Sequence, residues 1–236
     1  MKSRALALAI GVLLLQPAAA RQSKQFALDS ATGLRLVNVA VEPDALDGKK
    51  GVRMALSSDA VGRLKTMTPD EQAKVESLAI VEGLQFGSGT IEAEIAGMPA
   101  PDAPESARGF VGIAFRVQPD SRTYDAFYLR PTNGRADDQE RRNQAAQYVS
   151  HPDWPWFRLR KETPSRYEAY VDLQPNVWTP IRIEVRGDHA RLFVHGQQQP
   201  TLIVNDVKSG ATASGGVALW IDRGTIAHFR DLRITP

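Results

Sequence analysis

The run from Trp178 to Arg186 is the most regular pattern in this chain. Ile181, Ile183 and Val185 fall on one face, and charged side chains occupy the positions between them. A period of two indicates a β-strand with one buried face. Similar short runs, separated by glycine- and proline-containing turns, recur over most of the sequence. The chain is therefore constrained to a fold built mainly from short strands.

Roughly a dozen short strands, each followed by a turn, favour an all-β sandwich or jelly roll over an α/β fold. The run from Gly109 to Val117 is apolar on both faces, as expected for a central strand that is covered on both sides. The strands are predicted over residues 26–28, 34–41, 52–56, 78–86, 90–95, 109–117, 122–130, 145–150, 156–161, 167–173, 178–186, 190–194, 201–204, 217–221 and 226–234.

Only one stretch carries a clear helix signal. Thr68 is a capping residue, Pro69 suits the first turn, and Glu71 lies three residues after the cap. We expect one short helix here that ends near Ser77.

The first twenty residues have the layout of a secretory signal peptide. Lys2 and Arg4 precede an apolar run from Ala5 to Leu15, and Ala18 to Ala20 provide small residues for cleavage. The apolar run is too short to span a bilayer. We therefore expect residues 1–20 to be removed, residues 21–236 to form a single domain, and the protein to be secreted or periplasmic without inserting in a membrane.

Composition narrows the possible functions. The chain has 29 Lys and Arg, 27 Asp and Glu, and no cysteine. Without Lys2 and Arg4 the basic and acidic side chains balance, which gives no argument for a nucleic-acid partner. The lack of thiols excludes disulfides, thiolate metal sites and cysteine nucleophiles.

The C-terminal strands resemble those of concanavalin A-like lectin and glucanase domains. The resemblance rests on WTPIRIEV, ARLFVHG, GGVALW and FRDLRI, which follow one another in the order typical of that superfamily. Within it, the chain is similar to laminin G-like domains and to a bacterial secreted domain associated with 3-keto-disaccharide hydrolysis. The resemblance covers residues 78–235 and implies a jelly roll of two curved antiparallel sheets, with carbohydrate bound on the concave sheet.

The segment from Tyr124 to Phe157 is dense in aromatic rings, arginines and amides, which are typical of a polar ligand site. Tyr124, Tyr128 and Arg130 have the spacing of one strand face. The alternative is that the rings belong to the core and the arginines to a solvated rim. The predicted ligand-binding residues are Tyr124, Tyr128, Arg130, Asn133, Arg142, Gln144, Tyr148 and Trp154, and Trp220 lies on a late strand that could join them.

Catalytic chemistry is less well specified. His151 is the one histidine inside the dense segment, and Asp125 or Asp153 could partner it in acid–base catalysis. Glu92 and Glu94 share a strand face, but without the further acids of a glucanase motif they favour surface ion pairs with arginines. No nucleotide-binding, zinc or serine-hydrolase motif occurs.

No cofactor is predicted, although the loop after Pro131 offers oxygen ligands that calcium prefers. These are Asn133, Asp137, Asp138 and Glu140. The arginines among them favour internal salt bridges instead.

Three functions remain open at this point. The first is carbohydrate binding on the concave sheet, the second a glycoside or keto-glycoside hydrolase or lyase, and the third a laminin G-like protein-binding or structural module.

Overall fold

A computed structural model describes residues 22–236, so the predicted signal peptide lies outside the described residues. Fifteen strands and four short α-helices make up the described chain. The strands are β1 (Lys24–Phe26), β2 (Leu34–Val37), β3 (Val39–Leu46), β4 (Lys49–Leu56), β5 (Leu78–Val81), β6 (Gly89–Pro99), β7 (Val111–Val117), β8 (Tyr124–Leu129), β9 (Ala146–His151), β10 (Glu168–Ala169), β11 (Thr179–Arg186), β12 (His189–Val194), β13 (Leu202–Val204), β14 (Gly216–Ile221) and β15 (Thr225–Thr235).

The strands form two antiparallel sheets, as the spacing of the turns predicts. The eight-stranded sheet has the order β13-β12-β11-β6-β15-β4-β3, and β1 adds to β15. The seven-stranded sheet has the order β10-β9-β8-β7-β14-β5-β2. The prediction of an all-β jelly-roll sandwich is confirmed.

The core lies between the sheets. Ile181, Ile183 and Val185 bury one face of β11, whereas the residues between them remain at least partly exposed. Every residue of β7 and of β8 is buried, so these central strands of the seven-stranded sheet are covered on both faces. The side of this sheet that faces away from the eight-stranded sheet is therefore covered by other parts of the chain.

The helices are α1 (Ser58–Leu64), α2 (Pro69–Gln72), α3 (Gln139–Asn143) and α4 (Trp156–Glu162), and a 3-10 turn spans Pro131–Asn133. The predicted capping box is present, because the Thr68 hydroxyl accepts from the Glu71 N–H and the Glu71 carboxylate accepts from the Thr68 N–H. The helix ends at Gln72, earlier than expected. None of the helices in residues 22–236 is long and apolar enough to cross a membrane.

Two predicted strands were wrong. Residues 156–161 form α4, in which Leu159 is the only buried side chain and an Arg158–Glu162 ion pair at 2.8 Å joins successive turns. Adjacent Trp156 and Phe157 had suggested a buried strand, but both rings are exposed. Of residues 167–173, only Glu168–Ala169 pair with a neighbouring strand. Val171 and Leu173 are buried from irregular backbone instead.

Candidate functional site

The two faces of β8 divide the dense aromatic segment. Tyr124 and Tyr128 share one face of the strand with Arg130, which follows it, as the period of two predicts. Asp125 and Phe127 lie on the opposite face, toward the eight-stranded sheet. We call these the outer and the inner face of the seven-stranded sheet.

A pair of stacked rings lies on the outer face. Tyr128 of β8 and Trp220 of β14 have ring centroids 4.8 Å apart and planes inclined by 22°. Gly112 of β7 pairs with both residues from the strand between them. A Cβ atom at Gly112 would lie 2.2 Å from the Phe127 carbonyl oxygen and 2.6 Å from the Tyr128 Cβ. The rings can therefore meet only because this position has no side chain.

A hydrogen-bonded chain continues from these rings. The Trp220 indole N–H donates to the Tyr124 hydroxyl at 3.0 Å, and this hydroxyl donates to the Glu76 carboxylate. The other oxygen of Glu76 lies 3.6 Å from Nδ1 of His151, whose ring stacks on Tyr124 at 5.0 Å. Glu76 rather than Asp125 or Asp153 is therefore the carboxylate next to His151.

Arg130 is the central buried cation of the outer face. Its guanidinium donates to the Gln144 carbonyl at 2.6 Å, to the Tyr128 hydroxyl at 3.0 Å and to the Gln147 side chain at 3.0 Å. Glu168 lies 3.6 Å from Arg130 and also binds Arg160 of α4. One carboxylate is thus shared between two guanidinium groups, and α4 is fixed to the sheet.

Asp222 comes two residues after Trp220, at the end of β14. Burial raises the pKa of its carboxyl group, and the Arg223 N–H and the charges of Arg223, His151 and Arg130 oppose that rise only in part. A carboxyl group with a raised pKa inside a cleft is suited to transferring protons.

The tyrosines on the outer face, unlike Asp222, are not suited to transferring protons. Burial raises the pKa of Tyr128 to about 12, and burial together with the neighbouring Glu76 raises the pKa of Tyr124 well above its usual value. Both hydroxyls stay protonated near neutral pH. They therefore position Arg130 and Glu76 rather than act as bases.

A groove of about 1060 Å³ opens above this end of the outer face. Arg130, Asp222 and Phe110 contribute its floor, and Trp156 and Arg160 of α4 form one wall. The opposite wall comes from α1, the end of β4 and the loop that follows β6. Further lining residues in these regions are Ala55, Leu56, Val61, Leu64, Ala100, Pro101, Ala103 and Arg108.

Tyr148 and Asp125 do not reach the groove. Both are on the inner face, where the Tyr148 hydroxyl donates to Asp125 at 2.6 Å and accepts from the Lys208 N–H at 2.8 Å. Burial raises the pKa of Asp125, and hydrogen bonds from Ser209 and Tyr148 counteract it. These two residues therefore belong to an internal polar cluster, whereas sequence reasoning had placed them with the ligand and with His151.

Six further predicted residues are not part of the groove lining, namely Tyr124, Tyr128, His151, Arg142, Trp154 and Asp153. Tyr124 and Tyr128 are buried on the outer face. Arg142 packs on Tyr170, with its charge 5.1 Å from the ring centre. Trp154 lies between Arg158 at 3.8 Å and Lys208 at 4.6 Å. Asp153 is exposed in the turn after β9, and its backbone carbonyl accepts from Arg158. Asn133 and Gln144 do line the groove beside Arg130.

The loop acids considered for calcium are engaged separately. Asp138 caps α3 by accepting from the Arg141 N–H at 3.0 Å, and Glu140 accepts from the Gln144 side chain at 3.2 Å. In residues 22–236 no three His, Cys, Asp or Glu side chains are grouped so as to hold a metal ion. Asp138 and Glu140 therefore make separate hydrogen bonds at α3.

The carboxylates at 92 and 94 lie on β6 of the eight-stranded sheet and are not among the groove-lining residues. Glu94 pairs with Arg230 at 3.1 Å and approaches Lys49 at 3.8 Å. This is the ion-pair role that the sequence favoured for it.

Sequence reasoning missed several residues of this site. Asp222 falls between the strands predicted over residues 217–221 and 226–234, although its position two residues after Trp220 puts it on the same face. Glu76 and Glu168 carry no local motif. Arg160 was hidden because its segment was predicted as a strand instead of a helix.

The two sheets, their order and the groove beside one of them define a concanavalin A-like jelly-roll sandwich. A family model matches residues 48–235, and the chain belongs to that family, the 3-keto-alpha-glucoside-1,2-lyase-like domains. The chain is thus a carbohydrate-binding or carbohydrate-processing domain. No curated protein sequence matches it.

Solved structures support the fold. A carbohydrate-binding module of family 66 from Bacillus subtilis has a TM-score of 0.52 at 13% identity, over 86% of this chain and 96% of that one. A Bacillus subtilis protein of unknown function with a galectin-like fold has a TM-score of 0.52 at 12% identity, over 90% and 94%. The cellulose-induced protein Cip1 has a TM-score of 0.51 at 11% identity, over 91% and 92%.

Proposed function

We propose that the chain is a lyase that cleaves 3-keto-glycosides by elimination in the groove, with Asp222 as its general base. The observation that carries this proposal is a carboxyl group of raised pKa on the groove floor, beside the Arg130 cation. The family description supports the same reaction class, since it names a 1,2-lyase of 3-keto-alpha-glucosides.

The reaction follows from the acidity of the substrate. In a 3-keto-glycoside the hydrogen on C2 is adjacent to a carbonyl group, so its removal gives an enolate in which the keto oxygen carries the charge. Asp222, as the carboxylate, accepts this proton. The electron pair then forms the C1–C2 double bond while the bond from C1 to the glycosidic oxygen breaks. The leaving oxygen takes a proton from water, and Asp222 returns the proton that it accepted to the solvent. The products are an unsaturated keto sugar and a free alcohol.

The electrostatics of the groove suit this intermediate. Arg130 is held rigidly by its hydrogen bonds to Tyr128 and Gln147, and Arg160 lies across Glu168 from it. Two fixed guanidinium groups stabilise negative charge that develops on a keto oxygen, because they need not reorganise during the reaction. A raised pKa for Asp222 also brings its basicity closer to that of the enolate, which assists proton transfer.

His151 is a second polar side chain of the outer face that influences Asp222. Its ring is fixed by stacking on Tyr124 and by the approach of Glu76. Because its charge influences Asp222, it lies near enough to bias the protonation of that carboxyl group. We assign it a positioning role toward Asp222.

The test is product analysis on a 3-keto-disaccharide and on its unoxidised parent, with the C2 hydrogen replaced by deuterium. We expect cleavage of the keto substrate alone, loss of deuterium to solvent, and a primary isotope effect. Asp222→Asn should lower kcat by roughly 10²- to 10⁴-fold. Asp102→Asn is the matched control, since this exposed carboxylate lines the same groove.

Other outcomes separate the remaining functions. Cleavage of the unoxidised disaccharide with retention of deuterium would indicate a glycoside hydrolase. Carbohydrate binding without turnover would indicate a binding module, and neither binding nor turnover would leave a laminin G-like protein-binding role. Each of these results contradicts the lyase.

We further propose that the protein acts outside the cytoplasm, supported by the signal-peptide pattern at residues 1–20. Cell fractionation and N-terminal sequencing of the mature protein are the measurements. Recovery of an uncleaved protein in the cytoplasm would contradict export.

A further inference from the structure

We propose that the groove contains a subsite for a sugar carboxylate, formed by Arg108 and Arg130, which line it, together with Arg141, whose charge acts on Arg108. The inference rests on the proposed function for the idea that the ligand is a glycoside. It adds a substrate class, namely uronic-acid-type glycosides, which the family description does not name.

The charges that line the groove are unbalanced. Six basic side chains and two acidic ones line it: Arg53, Lys65, Arg108, Arg130, Arg160 and Arg223 against Asp102 and Asp222. Glu42 pairs with Arg53 at 2.8 Å, and Glu168 is shared by Arg130 and Arg160. An excess of positive charge therefore remains inside a concave site, where it attracts anions.

Arg108 is the clearest source of this excess. Its guanidinium donates only to backbone carbonyls, at 2.6 Å to Glu105 and at 3.1 Å to Ala107. Burial lowers the pKa of Arg108, and repulsion by Arg141 and Arg130 lowers it further, while the Glu105 carboxylate opposes the shift. An anion placed among the three guanidinium groups would relieve this repulsion.

Unsatisfied polar atoms are concentrated at the same place. Among the described residues, Arg141 Nε, Thr132 Oγ1 and Asn133 Oδ1 are buried without a hydrogen-bond partner. The guanidinium of Arg141 makes only a 3.5 Å contact to the Thr132 carbonyl. Asn133 is 2% exposed and lines the groove. Buried polar groups normally have partners, so these residues beside Arg108 have hydrogen-bonding capacity that a bound polar group can use.

The hydrogen-bond donors and acceptors of these residues narrow the chemical class of the ligand. Guanidinium groups bind carboxylates with two parallel N–H···O bonds, and Arg108 and Arg141 both have donors to offer. Asn133 Oδ1, in contrast, needs a donor such as a hydroxyl group. A uronic acid ring supplies a carboxylate and hydroxyl groups together, whereas a bare inorganic anion supplies only acceptors.

The test is a binding titration of the full chain with glucuronate, glucose 6-phosphate and glucose at fixed ionic strength. We expect glucuronate to bind at least about tenfold more tightly than glucose, as one charge-assisted hydrogen bond provides. A preference for glucose 6-phosphate over glucuronate would overturn the carboxylate assignment. Equal binding of glucuronate and glucose would overturn the subsite.

Variants locate the subsite. Arg108→Gln and Arg141→Gln should each reduce the preference for glucuronate over glucose toward unity. Arg53→Gln is the control, since Arg53 lines the same groove but already has Glu42 as a partner. Loss of the preference in Arg53→Gln as well, or its retention in both test variants, would contradict the assignment. Thermal unfolding of each variant checks that it is folded.

The binding experiment is independent of the lyase reaction. Asp222→Asn should keep the preference for glucuronate even though it cannot eliminate. If no keto-glycoside is cleaved but the preference is found, the lyase fails and the subsite stands. If keto-glycosides are cleaved and no preference is found, the subsite alone fails.

Discussion

The rings of Tyr128 and Trp220 stack at 4.8 Å although a whole strand separates the two residues. Neighbouring strands lie about 4.8 Å apart, so residues two strands apart are about twice that distance at their backbones. Gly112 occupies the strand between them and leaves the space that the rings fill. The same rings orient the hydroxyl groups that hold Arg130 and Glu76, so a single glycine shapes the floor of the groove.

We expect Gly112→Ala to lower the free energy of unfolding by about 1–3 kcal/mol, because the new methyl group overlaps the Tyr128 backbone and side chain. Gly62→Ala is the matched control. Gly62 lies in α1 with no atom within 4 Å of a Cβ, so alanine should be neutral or stabilise by up to about 1 kcal/mol. Urea unfolding measures both changes, and equal values would refute this account of Gly112.

Asp222→Asn should stabilise the protein at neutral pH while it abolishes elimination. The pKa of this carboxyl group is raised in the folded state above the unfolded value of 3.8. The folded state then binds more protons between the two pKa values, so wild-type stability falls as the pH rises through that window.

Thermal unfolding at several pH values tests this sign. The two proteins should be equally stable below the unfolded pKa, and the variant should gain over wild type as the pH rises. A variant that is less stable at neutral pH would show that Asp222 is held by a favourable partner rather than by burial.

Arg116 should be the arginine whose loss costs most stability. Arg116 is 1% exposed. Its guanidinium donates to the carbonyls of Gly87, Gly187 and Gly210 and to the Ser209 hydroxyl. That hydroxyl in turn donates to the buried Asp125. We expect Arg116→Met to lower the free energy of unfolding by about 3–5 kcal/mol.

The exposed Arg122 provides the control for this variant, and Arg122→Met should change stability by less than about 0.5 kcal/mol. Addition of Asp125→Asn to Arg116→Met should recover part of the loss, because it removes the buried charge left behind. Chemical unfolding of the single and double variants gives the coupling energy, and strict additivity would argue against a link through Ser209.

Trp156 and Phe157 are adjacent on α4 and both exposed, at 43% and 60%. Only Trp156 lines the groove. We therefore expect Trp156→Ala to raise the KM for a keto-disaccharide about tenfold, which corresponds to about 1.4 kcal/mol of lost ring contact. Phe157→Ala should leave KM unchanged. Steady-state kinetics decide between them, and similar effects from both would place the ligand outside the groove.

Sequence patterns were sufficient where one strand determines the outcome. The spacing of Tyr124, Tyr128 and Arg130 put them on one face, and the chain does so, because side chains alternate along any strand. The same rule assigned β11 and the two-sided burial of β7. The alternation rule does not predict which residues of distant strands come into contact.

The errors have a common physical origin. Tyr148 was predicted to bind ligand and Asp125 to partner His151, because both belong to the segment dense in aromatic rings and arginines. Strand register instead turns both toward the other sheet. The segment 156–161 was read as a strand because adjacent apolar rings suggest burial, yet only Leu159 is buried. Local composition does not determine which part of the chain packs against a given side chain.

By itself the sequence determined the all-β sandwich, the capped helix at Pro69, the alternation of each strand and the class of family to which the chain is similar. These are set by local hydrogen bonding and by side-chain period. Only the tertiary structure decided that Glu168 joins Arg130 to Arg160 and that Glu76 meets Tyr124 and His151, since these residues come from separate segments. These contacts, and the raised pKa of Asp222, depend on burial and on distances through space, which the order of residues along the chain does not specify.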